Sequence, residues 1–224
     1  MKIQPIVFDF LLQLEQNNNR EWFAKNRSLY DESLSIISVF TDELIKRIAE
    51  FDPSVLRETS KTSIFRIYRD IRFSPNKVPY KNHFGIYIVN GGKSSKYAGY
   101  YVHIEPNKSM LAGGLWCPEK EVLSKIREDI YYNPETLLSI LNQNKFKQTF
   151  TQLSLEGKLK KPPKGYSVEF EHIDLIKNKH YIIDKSLTNE EILNDEFINH
   201  LVNLCKIISP LNNYLNSIIQ YKNE

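Results

Sequence analysis

Three segments in the middle of the chain alternate between apolar and polar side chains. They cover residues 64–72, 82–90 and 100–105, and turn-forming residues separate them at Ser74-Pro75-Asn76-Lys77 and Asn90-Gly91-Gly92. Alternation with a period of two is typical of a strand with one buried face. Connections this short join antiparallel neighbours, because parallel strands need a crossover of about a dozen residues. These features predict a mainly antiparallel sheet.

Helices are predicted on both sides of this central region. Asn107-Lys108 separates the third segment from a fourth predicted strand, and Tyr181–Ile183 is a candidate for one more. Apolar residues at helical spacing predict helices over residues 5–16, 18–51, 118–130, 134–144 and 197–218. Asn18 and Thr188 are predicted N-caps, because a glutamate follows each of them three residues later. The expected fold class is α+β, with the sheet packed by N-terminal and C-terminal helices.

The composition fits one globular domain that covers residues 1–224. The chain is 41% hydrophobic and 25% charged, and no window has the roughly 20 apolar residues of a membrane span. Asp9 interrupts the N-terminal apolar run, which does not predict a signal peptide. The two cysteines, Cys117 and Cys205, are too few for a disulfide framework. We therefore expect a cytoplasmic protein with no membrane partner.

The alternation assigns the polar side chains of the sheet to one face. In residues 64–72 it places Arg69 on the apolar side, so Arg69 is predicted to point away from its arginine neighbours. If the apolar faces of the strands coincide, the opposite face is polar. Its predicted members are Arg66, Tyr68, Asp70, His83, Tyr87, Tyr101, His103 and Glu105. Gly85 lies among them, and a glycine within a strand often marks close approach of a ligand or another backbone, so we expect a pocket or groove floor.

Five cationic residues fall within sixteen positions of this region and are opposed there only by Asp70. They are Arg66, Arg69, Arg72, Lys77 and Lys81. Arginine forms bidentate hydrogen bonds with phosphate or carboxylate, so one interpretation is a binding site for an anion, with Tyr68, His83 and Tyr101 as further ligand contacts. The other interpretation is structural, with the arginines paired to acidic side chains and main-chain carbonyls. The sequence leaves both open.

Three residues are candidates for proton transfer, namely His103, Glu105 and Asp70. With His83, the first two also have the residue types of a two-histidine, one-carboxylate metal site. His-x-Glu is a short and frequent pattern, so the sequence favours hydrogen-bonded structural histidines and predicts no metal ligand. The sequence has no catalytic-serine, Walker or dinucleotide-binding motif, and the cofactor stays unknown.

The joint pattern of several motifs resembles a bacterial family of conserved hypothetical proteins, domain of unknown function 2461. The matching motifs are Asn18-Asn19-Arg20-Glu21-Trp22-Phe23, the run from Phe65 to Phe73, Lys77 with Pro79-Tyr80-Lys81, the run from Gly99 to Pro106, Gly113-Gly114-Leu115-Trp116 and the run from Lys161 to Tyr166. The resemblance spans nearly the whole chain. It implies one full-length α+β domain and no activity.

The expected function is binding of a phosphorylated or carboxylated small molecule on the basic, polar face of the sheet. Whether the protein is an enzyme stays open. The alternative is a non-catalytic module that binds a protein or a nucleic acid. Nucleic acid is the less favoured partner, because the net charge is only +3 and no nucleic-acid-binding motif is present.

Overall fold

The computed structural model describes residues 1–220 and contains, in that range, ten α-helices and a four-stranded sheet. The helices are α1 (Pro5–Gln16), α2 (Arg20–Lys25), α3 (Arg27–Ile48), α4 (Ser60–Ser63), α5 (Lys120–Tyr132), α6 (Pro134–Leu141), α7 (Asn144–Thr149), α8 (Ile173–Ile176), α9 (Asn189–Leu193) and α10 (Phe197–Gln220), with a 3-10 helix at Pro53–Val55. The strands are β1 (Phe84–Ile88), β2 (Gly99–Ile104), β3 (Ser109–Leu115) and β4 (Tyr181–Leu187). The sheet is antiparallel in the order β1-β2-β3-β4. The predicted α+β class is confirmed.

The prediction of a first strand over residues 64–72 is wrong. The segment forms only isolated antiparallel bridges, which join Ile64 to Ile86 and Tyr68 to Tyr80. Pro79 accepts a hydrogen bond from the Arg69 N–H at 2.9 Å and has no N–H with which to extend the ladder. The sheet instead takes its fourth strand from β4.

The predicted N-cap at Asn18 is wrong by one residue. Asn19 caps α2, since its side chain accepts a hydrogen bond from the Trp22 N–H at 2.9 Å. Asn18 pairs instead with the main chain of Tyr80, donating from Nδ2 to the carbonyl at 3.0 Å and accepting from the N–H at 3.1 Å. The predicted long helix is interrupted at Asn26, where α2 ends and α3 begins.

Two other boundary signals are confirmed. Thr188 forms the predicted capping box with Glu191, although the helix it begins is the short α9. Asn107 lies in the turn between β2 and β3 with a φ of 63°, a left-handed conformation that asparagine tolerates better than most residues. Its N–H donates to the Asn189 side chain at 2.8 Å. The local sequence therefore identifies the start of α9 and the turn that follows β2.

The last helix, α10, contains 24 residues and continues through Pro210. Proline has no N–H, so one main-chain hydrogen bond is missing at this position. Neither α10 nor any other helix within residues 1–220 combines the length and apolar character needed to cross a membrane.

The chain divides into two compact units, each assembled from several segments. Unit 1 comprises residues 1–93, 101–111 and 186–203. Its core holds an aromatic group from the first three helices and β1, in which Phe10 lies 5.7 Å from Tyr30 and 6.1 Å from Phe84 between ring centroids. Phe84, Ile86 and Ile88 are buried on one face of β1. Polar side chains can therefore lie against its opposite face.

Unit 2 comprises residues 94–100, 112–185 and those from 204 onward. The Tyr214 hydroxyl donates to Asp129 at 2.6 Å, and this contact ties α10 to α5. Asn216 pairs with both main-chain groups of Ala98, at 2.7 and 3.1 Å. Gly113 packs so closely on Ile208 that a Cβ at this position would overlap the isoleucine side chain.

Candidate functional site

Four of the predicted site residues meet in unit 1, and we call them the histidine cluster. They are His83, Tyr101, His103 and Glu105. The last three lie at alternate positions along and just after β2, so their side chains share one face. His83 directly precedes β1, the neighbouring strand. Sheet pairing therefore brings together residues that are about twenty positions apart in the sequence.

His103 lies in the middle of a hydrogen-bonded chain. Its Nδ1 is 3.1 Å from the Tyr101 hydroxyl, and its Nε2 is 2.8 Å from Glu105 Oε2. The side chains of His103 and Glu105 are only 16% and 11% exposed. Both ring nitrogens of this imidazole therefore have a partner, which fixes the ring orientation.

Glu105 is held by several groups. Its Oε1 accepts hydrogen bonds from Asn82 Nδ2 at 3.0 Å and from Lys108 Nζ at 3.2 Å. Its main-chain N–H donates to the Ser109 hydroxyl at 2.9 Å. Burial alone would raise the pKa of this carboxyl group, but the hydrogen bonds with His103 and Lys108 outweigh burial and lower the pKa. Glu105 is therefore a carboxylate at neutral pH.

His83 completes the cluster by stacking on His103. The ring centroids are 4.1 Å apart, and His83 Nδ1 is 4.0 Å from Glu105 Oε2. Burial, followed by the positive charges that His103 and Lys81 can carry, lowers the pKa of His83 to about 4. The His83 imidazole is therefore neutral at pH 7 and has a free lone pair on one ring nitrogen.

Gly85 makes room for Tyr101 beside β1. A Cβ built at Gly85 would lie 3.0 Å from the Tyr101 hydroxyl oxygen and 3.3 Å from the Phe65 ring. These distances are shorter than ordinary van der Waals contacts. The absence of a side chain at Gly85 thus permits the contact between Tyr101 and His103.

The predicted cation Lys81 lies near the histidine cluster, and Arg66 lies near Lys81. Lys81 is half-buried, with Nζ 5.4 Å from the centroid of the Phe65 ring. Burial and the neighbouring charge of Arg66 lower the pKa of Lys81. Within residues 1–220, neither side chain has an acidic oxygen within 4 Å. These are cations without an ion-pair partner.

The other predicted cations stabilise a loop formed by residues 69–78, which we call the arginine loop. Arg69 donates to the Val78 carbonyl at 3.2 Å and to the Ser74 hydroxyl at 3.3 Å. Lys77 Nζ donates to the Ile71 carbonyl at 2.9 Å. Their hydrogen bonds remain within the loop, so the structural interpretation describes these two side chains.

Asp70 does not join the histidine cluster. It forms a bidentate pair with Arg72, at 2.6 and 3.0 Å, and both side chains are exposed. The pKa of Asp70 lies well below its ordinary value, first because of its hydrogen bonds with Arg72. The predicted sharing of a face by Asp70 and His103 fails because residues 64–72 do not form a regular strand.

Tyr68 is also placed away from the histidine cluster. Its ring lies 5.3 Å from that of Tyr80 and 6.1 Å from that of Phe23, between centroids. Phe23 and Tyr80 in turn stack at 4.0 Å. Tyr68 therefore belongs to an aromatic group beside the α2 helix, although its side chain remains partly exposed.

Sequence reasoning missed two residues of the site, Asn82 and Lys108. Both bind Glu105 Oε1, and they leave Oε2 directed towards the two histidines. Lys108 lies three residues after Glu105, across the predicted turn, so its proximity could have been inferred from the sequence. Asn82 carries no comparable signal, because its contact depends on the pairing of β1 with β2.

The cluster has the donor types of a metal site. One ligand atom each from His83, His103 and Glu105 lies within 4.8 Å of the other two, and this is the one such group found within residues 1–220. Two imidazoles and one carboxylate are common ligands of zinc and of non-haem iron. The same atoms can also carry protons, so the arrangement permits either metal binding or acid–base chemistry.

Comparison with known proteins identifies a family but no characterised relative. No curated protein and no solved structure matches the chain. A family model described as "Conserved hypothetical protein (DUF2461)" matches residues 6–214. The match covers nearly the whole chain and includes the histidine cluster and the arginine loop. The protein belongs to the DUF2461 family of conserved hypothetical proteins.

Proposed function

We propose that the histidine-cluster face of unit 1 binds a small anionic molecule that carries a carboxylate or phosphate group. The observation that carries this proposal is that no acidic oxygen of residues 1–220 lies within 4 Å of the cationic groups of Lys81 and Arg66. A half-buried ammonium group is unfavourable unless an opposite charge compensates it. An anion that contacts Lys81 and Arg66 would supply that charge.

The arginine loop supports the same assignment by contrast. Arg69, Arg72 and Lys77 already have partners within the loop, so they have less capacity to bind an added anion. Two cations that form no ion pair in the described part of the chain suit a small ligand. A nucleic acid is a poorer fit, because tight binding normally requires several phosphate contacts. We therefore favour a small molecule over a non-catalytic module that binds protein or nucleic acid.

The remaining elements of the proposal follow from the sequence. We propose that the protein is located in the cytoplasm of a bacterium. We also propose that His103 transfers protons together with Glu105. The hydrogen bond between these two side chains supports that role, since it orients the imidazole beside the cations. Asp70 is excluded from the catalytic set, because it is paired with Arg72 in the exposed loop.

Titration calorimetry at low ionic strength tests the anion site. The probes are inorganic phosphate, pyrophosphate and citrate, with a single-stranded oligonucleotide as the macromolecular alternative. We expect saturable binding of one small anion that weakens about tenfold or more in Lys81→Gln and in Arg66→Gln, as expected for a lost charge-assisted hydrogen bond. Arg72→Gln is the matched control, and its affinity should equal that of the wild type.

Two results would contradict the proposal. One is equal weakening in all three variants, because that would indicate a diffuse effect of net charge rather than a site. The other is binding of the oligonucleotide alone, which would support the nucleic-acid alternative. Circular dichroism of each variant verifies that the fold is retained.

A further inference from the structure

We propose that His83 Nδ1, His103 Nε2 and Glu105 Oε2 bind one divalent first-row transition metal ion. The inference goes beyond anion binding and does not depend on it, because these three atoms form the site without Lys81 or Arg66. The carboxylate oxygen lies 2.8 Å from the His103 nitrogen and 4.0 Å from the His83 nitrogen.

These separations suit a metal ion with small side-chain adjustments. Zinc–ligand bonds of about 2.0–2.2 Å in tetrahedral geometry place neighbouring ligand atoms roughly 3.4 Å apart. Compared with this separation, the Glu105 oxygen is about 0.6 Å too close to the His103 nitrogen and about 0.6 Å too far from the His83 nitrogen. Bringing both distances to that common value changes each by about 0.6 Å, through movement of the carboxylate together with rotation of the imidazole rings.

The supporting contacts already orient each ligand atom. Asn82 and Lys108 both bind Oε1 of Glu105, and this leaves Oε2 for the histidines. The Tyr101 hydroxyl can accept a hydrogen bond from Nδ1–H of His103, and that tautomer leaves the Nε2 lone pair free for a metal. Hydrogen bonds of this kind to the far side of a ligand commonly fix metal-binding histidines.

A metal ion and a proton would compete for the same position. Without metal, a proton lies between His103 Nε2 and Glu105 Oε2, since two acceptors cannot otherwise approach to 2.8 Å. On metal binding the ring would change tautomer: the metal would replace this proton at Nε2, Nδ1 would carry the ring proton instead, and the Tyr101 hydroxyl would change from donor to acceptor. His103 would then no longer transfer protons, and reactivity would depend on the remaining coordination positions of the metal.

The surrounding charge predicts what occupies those positions. Lys108 contacts the carboxylate of Glu105, the charge of Lys81 acts on His83, and that of Arg66 acts on Lys81. Adding a divalent ion increases the positive charge further, so an anion is favoured as the next ligand. Binding of a metal and binding of an anion should therefore strengthen each other, by the same factor in either order.

Metal titration of the full-length chain tests the site. The chain would carry Cys117→Ser, because the exposed Cys117 thiol is a second place for adventitious zinc. Zn²⁺ binding is measured by competition with a chromophoric chelator, and Co²⁺ binding by its visible absorption, in a buffer without phosphate. We expect one ion per chain, with Mg²⁺ and Ca²⁺ failing to compete.

Three substitutions at the ligands, one at the supporting Tyr101 and one control complete the design. His83→Ala, His103→Ala and Glu105→Gln should each weaken Zn²⁺ binding more than about 100-fold, and Tyr101→Phe about 10- to 100-fold. His200→Ala is the matched control, because His200 Nε2 lies 3.6 Å from Glu191 as a histidine–glutamate pair to which no other residue within 1–220 adds a third metal ligand. Its affinity should not change.

Several outcomes would overturn the proposal. These are substoichiometric binding, equal binding in all variants, or loss of binding on Cys117→Ser alone. If Glu105→Gln does not fold, His83→Ala and Tyr101→Phe still decide the question. Lys81→Gln separates this proposal from the anion site, because it should strengthen metal binding and weaken anion binding.

Discussion

The histidine cluster and the arginine loop both contain several polar and charged side chains, but their hydrogen bonds are organised differently. In the arginine loop, hydrogen bonds join residues separated by two to nine positions, as in the pair of Asp70 with Arg72. In the histidine cluster, Asn82 binds Glu105 across 23 positions and through two strands. Hydrogen bonds within the arginine loop stabilise that loop alone, whereas the histidine cluster also depends on the pairing of β1 with β2.

Burial separates the two regions as well. The Glu105 side chain is 11% exposed, whereas the Asp70 side chain is 46% exposed. A carboxylate in a low-dielectric environment interacts more strongly with its partners and is more costly to leave unpaired. We therefore expect substitutions in the histidine cluster to have larger effects than equivalent substitutions in the arginine loop.

The largest expected effect is that of Glu105→Ala. Removing this carboxylate deprives Asn82, His103 and Lys108 of their shared partner, and we expect a loss of about 3 kcal/mol in the free energy of unfolding. Urea denaturation measures it. Asp70→Ala is the paired control and should unfold like the wild type. Equal losses in the two variants would remove the distinction between the regions.

Gly85→Val should have the second largest effect. The added side chain would meet Tyr101 and Phe65 at distances below van der Waals contact, and overpacking of this kind costs about 1–3 kcal/mol. We also expect Tyr101 to move from His103, which chemical shifts of the His103 ring would report. Gly85→Ala should show a smaller change in the same direction. A stable Gly85→Val variant with unchanged shifts would contradict this account of Gly85.

Arg69→Ala should open the arginine loop without disturbing the histidine cluster. The variant loses hydrogen bonds to Val78 and Ser74, which predicts a destabilisation of about 1 kcal/mol or less. Phe73 is 93% exposed and provides a site for chymotrypsin. We expect faster cleavage after Phe73 in the variant, with unchanged resonances from His83 and His103. Cleavage at the wild-type rate would show that Arg69 does not hold the loop.

Lys77→Ala should have the smallest effect of the series. Its ammonium group donates a single exposed hydrogen bond to the Ile71 carbonyl, and such contacts contribute little because water replaces them. The melting temperature and anion affinity should both match those of the wild type. A clear loss of anion affinity would instead assign Lys77 to the ligand site and would weaken the contrast between the regions.

The sequence predicted the elements of the fold better than their boundaries. The α+β class, helix α1 and the capping box at Thr188 depend on local patterns and were predicted correctly. Asn18 was mistaken for an N-cap because its real partner, Tyr80, is 62 residues away. The sequence contains no local signal for such a contact.

The residues that form the site, like the elements of the fold, were predicted only in part. Alternation along β2 placed Tyr101, His103 and Glu105 on one face, because a strand fixes the direction of its side chains. The same rule failed for residues 64–72, where Pro79 limits the pairing and Arg69 turns back to bind its own loop. A rule based on strand periodicity holds only where the main-chain ladder is continuous.

The pairing of the Asn18 side chain with the Tyr80 main chain has a consequence for the order of folding. Closing a contact across 62 residues costs more chain entropy than closing the two-residue contact of Asp70 with Arg72. The arginine loop can therefore acquire its contacts early, whereas we expect Lys81 and His83, one and three residues after Tyr80, to be fixed once Asn18 has docked on Tyr80. We therefore expect the surface proposed to bind ligand to become ordered late in the folding of unit 1.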